Sequence, residues 1–130
     1  MIRPLLALAL IAVATPGLAE PLTVRPGETW LFTLDHGDPA HTRKVEATTA
    51  PSRGEMKVSV RALFGTMMTI TNNSAQGYTF QAQLIGADGK AVNARTCGAP
   101  ANNQPALESW PQKAAAVRLG GFKPAKGGRC

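Results

Sequence analysis

The sequence predicts an all-β domain built from two antiparallel layers. Three observations carry this. Apolar and polar residues alternate with period two in run after run, turn-forming residues separate the runs, and no helical period of useful length follows residue 19. Successive side chains of a strand point to opposite faces, so a strand with one buried and one wet face reads this way.

Arg25-Pro26-Gly27-Glu28 is a turn, and Trp30, Phe32 and Leu34 follow on one face, with Leu31, Thr33 and Asp35 on the other. Gly37-Asp38-Pro39 ends that strand with turn chemistry. Met56, Val58, Val60 and Ala62 alternate with Lys57, Ser59, Arg61 and Leu63. Phe64, Met68 and Ile70 continue on one face of the next segment, against Thr69 and Thr71. Asn72-Asn73-Ser74 and Gln76-Gly77 form a hairpin connection into Tyr78, Phe80, Ala82 and Leu84, which alternate with Thr79, Gln81, Gln83 and Ile85. Asp88-Gly89 suits the positive φ angles of a tight turn. Ala115, Val117 and Leu119 mark the last strand, and Gly120-Gly121, too close for a helix from Ala114 to develop, opens a loose tail. This spacing predicts a small Ig-like antiparallel β-sandwich of about seven strands, in one domain over residues 20–130.

Residues 97–113 have no periodicity and are expected to form a long loop. Trp110 either folds back as a plug on the sandwich edge or, with Glu108, forms part of a binding loop.

The first residues read as an address. Arg3 precedes an apolar run from Leu5 to Val13, Pro16-Gly17 breaks it, and Gly17-Leu18-Ala19 offers small residues where a signal peptidase cuts. Residues 1–19 are therefore expected to be a cleaved signal peptide, and the chain periplasmic or secreted. The apolar run is shorter than the roughly 20 residues a spanning helix needs, and no later stretch reaches that length, so the mature chain is expected to have no transmembrane segment. In an oxidising compartment Cys97 and Cys130, the only two cysteines, are expected to pair as a disulfide that closes the C-terminal segment. Without a C-x-x-C pair, redox catalysis is not expected.

Composition narrows the function classes. The 130 residues carry a formal net charge of +6, yet aromatics are only 5% and the cations are spread along the chain. Nucleic acid is therefore not an expected partner. There is no G-x-S-x-G elbow, phosphate loop or dinucleotide fingerprint, so neither an enzyme nor a cofactor is expected. The densest polar cluster runs from Asp35 to His41 and holds both histidines. His36, Asp38 and His41 could hold copper or zinc if folding brings them together, with Met67 as a soft addition; the same residues also describe a polar hairpin turn.

Thr23-Val24-Arg25-Pro26-Gly27-Glu28-Thr29-Trp30 resembles the opening of a LysM domain, a family that binds N-acetylglucosamine polymers. That family runs next into a helix, whereas Leu31-Phe32-Thr33-Leu34 continues as a strand, and the second half of the pattern is missing. The resemblance stops at eight residues and carries no site residues over.

These features together predict a non-enzymatic binding or structural module of the bacterial cell envelope. Its expected partner is an envelope protein or polymer. A periplasmic metal-binding protein is the alternative, and a small hydrolase or a protease or lysozyme inhibitor acting through the 97–113 segment a third class.

Overall fold

The computed structural model describes residues 19–126. The predicted signal peptide, apart from its last residue, and Cys130 lie outside them. The described chain is all-β, with nine strands and no helix. In order these are β1 (Leu22–Val24), β2 (Thr29–Asp35), β3 (Asp38–Val45), β4 (Met56–Arg61), β5 (Thr66–Asn72), β6 (Tyr78–Ile85), β7 (Ala91–Ala94), β8 (Pro105–Trp110) and β9 (Ala116–Pro124).

All pairings are antiparallel. One sheet has the order β1-β9-β6-β7 and the other β3-β2-β4-β5-β8. Side chains from both sheets meet in a single apolar core: Val24, Phe80, Leu84 and Leu119 from the first, Phe32, Val58, Met68 and Ile70 from the second. Phe122 sits at its aromatic centre, with ring centroids 5.1 Å from Phe80, 5.8 Å from Phe32 and 6.4 Å from Tyr78.

The count exceeds the expected seven because β1, β3, β7 and β8 are too short, too exposed or too irregular to read from alternation. β1 is three residues long, and β7 is exposed along most of its length. β3 begins with Asp38-Pro39, which the sequence marks as a turn; it lies at the edge of its sheet, where a missing N–H is tolerated. A bulge at His41 (φ 51°) then sets His41 and Thr42 against Phe32 alone. β8 corrects the expectation of a loop over 97–113. Pro105 to Trp110 pairs with Thr71 to Thr66 along the edge of the five-stranded sheet.

Two further differences concern glycine and phenylalanine. Gly120-Gly121 does not end β9. Gly121, at φ 62°, forms a bulge opposite Phe80, and the strand continues to Pro124, which is how Phe122 reaches the core. Phe64 does not lie on a strand face; it occupies the four-residue β4–β5 turn with a positive φ of 49° and is 91% exposed.

Candidate functional site

The residues put forward for a metal form the β2–β3 hairpin. His36 and Gly37, at φ 51° and 85°, make the two-residue turn whose mirror-image twist suits adjacent strands. The His36 side chain is 95% exposed and its Nδ1 lies 2.6 Å from Asp35 Oδ1. The turn is latched to β9. Phe122 N donates to Gly37 O at 2.7 Å and Gly121 N to Asp38 Oδ1 at 3.3 Å. A Cβ on Gly37 would stand 2.7 Å from Phe122 O, so the glycine is also needed for close approach. Among the described residues no three His, Cys, Asp or Glu side chains are grouped to hold a metal ion, and His36, Asp38 and His41 are not brought together as such a set. The hairpin's hydrogen bonds account for Asp38 and Gly37 structurally.

Glu108 and Trp110 are not presented on a loop. Both point inward from β8, at 4% and 7% exposure. Trp110 plugs the sandwich edge, and its Nε1 donates to Arg95 O at 2.9 Å. Glu108 Oε1 accepts the backbone N–H of Cys97. Burial raises the Glu108 pKa, and that hydrogen bond offsets part of the rise. Cys130, the expected partner of Cys97, lies outside the described residues.

A concavity lies elsewhere, on the outer face of the five-stranded sheet. Met56, Val58 and Val60 point into the core from β4, so Lys57, Ser59 and Arg61 must point out. Register sets their neighbours: Thr29 on β2 and Thr69 on β5 flank Ser59, and Thr71 flanks Lys57. These side chains floor a trough of about 340 Å³, walled by the 27–28 turn and by Ala47. The turn is docked on β4, with Gly27 N donating to Val60 O at 2.8 Å and Val60 N to Glu28 O at 3.3 Å.

Charge in the trough is uneven. Glu28 is taken up at the rim by Lys44 Nζ at 3.2 Å, by Trp30 Nε1 at 3.3 Å and by the backbone N–H of Arg25 at 2.9 Å. The Arg25 bond leads in lowering the Glu28 pKa, so this carboxylate stays ionised and paired. Lys57 Nζ donates to Ala47 O, and neither Lys57 nor Arg61 meets a carboxylate among the described residues. Thr29 and Ser59 share a hydroxyl–hydroxyl bond of 2.8 Å, which orients both. Thr69 and Thr71 line the same space. Lys57 and Arg61 are four residues apart on one strand, so their attachment points lie roughly 13 Å apart. Two cations at that spacing without a carboxylate partner, with a hydroxyl between them, suit separate anionic groups several units apart on an extended chain better than one small anion.

Sequence reading missed the trough. Its lining residues come from three strands, the 27–28 turn and the β3–β4 connection, and only the register makes Thr29, Ser59 and Thr69 neighbours. No helix among the described residues is long and apolar enough to cross a membrane. Comparison with family models, with curated proteins and with solved structures returns no match to this chain.

Proposed function

We propose that the chain is an exported, non-enzymatic binding module of a bacterial cell envelope, and that its trough takes an anionic envelope polymer. The observation that carries this is the Lys57–Arg61 pair, both cations without a carboxylate partner among the described residues, in a groove lined by Ser and Thr on the face of a sheet. Side chains fixed on adjacent strands are preorganised, so binding orders few of them. Removal of residues 1–19 takes away Arg3 and leaves 13 Lys+Arg against 8 Asp+Glu, and this net charge of +5 adds a general attraction to anionic surfaces that weakens with salt. Nucleic acid is not the expected partner of an exported chain with so few aromatics.

Export belongs to the same proposal: residues 1–19 act as a cleaved signal, and Cys97 pairs with Cys130 in a stabilising disulfide. An Ig-like sandwich is the closest general description of the architecture. The experiment is retention of the purified protein on immobilised polyphosphate and on a polyuronate, together with assay of the eluted polymer for cleavage. Retention without turnover is expected. Failure to bind either polymer would contradict the polymer assignment, and chain shortening would contradict the non-enzymatic one. Intact mass measured without reductant should show cleavage after Ala19 and loss of two hydrogens; two free thiols or a linked dimer would contradict the staple.

A further inference from the structure

The β4–β5 turn combines features that core packing does not explain. Phe64 holds a bulky side chain at φ 49°, a conformation such residues rarely adopt, and it is 91% exposed. Leu63 beside it is 43% exposed. Backbone strain of this kind persists only where the surroundings hold it, and it often marks a functional segment. The surroundings here are firm. Gly65 lies so close to β8 that a Cβ would stand 2.3 Å from Trp110 O. Thr66 Oγ1 donates to Gln112 O at 2.7 Å and accepts from Ala114 N at 2.9 Å. The turn is thus a fixed prong with an apolar point.

Cations surround the prong. Hydrogen bonds from the 25–28 turn to Val60, from Ala115 to Ile85 and from Ala114 to Thr66 bring four connections to one end of the sandwich. That end carries exposed Arg25, Arg61, Lys90 and Lys113. Its acids are Glu28, which Lys44 already pairs, Asp88, whose Oδ1 accepts from Lys90 N, and exposed Glu46 just past the end of β3, so the four cations there outnumber the two acids that have no ion pair among the described residues. Two apolar side chains on one turn are far too small for a stable protein interface, which takes roughly 800 Å² from each partner. They are the right size for shallow insertion at a lipid interface, where cations held at the headgroups supply the second attraction that stable anchoring requires.

We infer that this prong docks the protein on a bilayer containing anionic lipids, with Phe64 and Leu63 inserted among the acyl chains and Arg61 and Lys113 at the headgroups. This rests on the prong and its rim, not on polymer binding in the trough.

The test uses the protein as the exporting cell processes it, with vesicles of phosphatidylcholine alone or mixed with phosphatidylglycerol. The protein should sediment with the mixed vesicles, weakly or not at all with the neutral ones, and less at about 0.5 M salt. F64S should bind the mixed vesicles about tenfold less, the scale of burying one aromatic ring, while its circular dichroism stays that of the wild type. F64W should restore binding, and lipids brominated in the acyl chain should quench its added emission. The inference is overturned if F64S binds as well as the wild type, if the F64W emission resists those lipids, or if Phe64 instead drives self-association without vesicle binding.

Discussion

Replacing Gly65 by Ala should destabilise the fold by about 2–5 kcal/mol, from two separable sources. The first is conformational. Gly65 sits at φ 103°, where an L side chain is strained by about 1–2 kcal/mol. The second is steric. The new methyl would stand 2.3 Å from Trp110 O and 2.7 Å from Pro111 O. Both are backbone atoms, so no rotamer change relieves the clash; either the turn or the end of β8 must move, an overpacking penalty of about 1–3 kcal/mol. Gly27 supplies the control. Its φ is 90°, yet a Cβ there meets nothing within 4 Å. G27A should therefore lose only the conformational part. Urea unfolding of both variants against the wild type measures the difference, and thermal melting should show G65A falling roughly twice as far or more, at about 4 °C per kcal/mol for a domain of this size. Equal losses in the two variants would refute the assignment of Gly65 as a close-approach residue pinning the prong to β8.

Three other outcomes are expected. Glu108 has a raised pKa from burial, so the folded state holds its proton more tightly than the unfolded chain; stability should fall as pH rises from the ordinary carboxyl value through the raised one. E108Q keeps an oxygen for the Cys97 N–H and should abolish that fall in urea midpoints measured against pH. Glu55 behaves oppositely: a hydrogen bond from Ser52 N leads in lowering its pKa, with Arg43 helping, so its contribution is present above the ordinary carboxyl value and is lost as pH falls through the lowered one; E55Q should flatten the acid limb of the same profile. F122A should cost about 3–5 kcal/mol in the same unfolding assay, since it empties the aromatic centre where Phe32, Tyr78 and Phe80 converge.

What the sequence disclosed depended on which faces of a strand are wet. β4, β5 and β6 were legible because Lys57, Thr69 and Gln81 interrupt apolar neighbours at every second position. β8 was hidden because its inward row is Ala106, Glu108 and Trp110, so the middle position of a buried face reads as polar. β3 was hidden because an edge strand admits Pro39 and a bulge admits His41, and both erase the alternation. Phe64 misled in the other direction: period two places it on the β5 face, and only the positive φ values of Phe64 and Gly65 turn it outward. The trough was illegible for a different reason. Thr29, Ser59 and Thr69 are separated along the chain, and common surface residues announce nothing until register sets them side by side.

The most direct test of the central claim is a titration of the protein with long-chain polyphosphate at several salt concentrations, comparing the wild type with K57Q/R61Q and with K123Q. Lys123 is an exposed cation on the other sheet and reports attraction from net charge alone. If the trough holds the polymer, K57Q/R61Q should bind at least tenfold more weakly and show a shallower dependence of affinity on salt, because two fewer anionic groups are neutralised, whereas K123Q should stay within about twofold of the wild type. Equal weakening in K57Q/R61Q and K123Q, or none in either, would contradict the claim that this groove is the binding site.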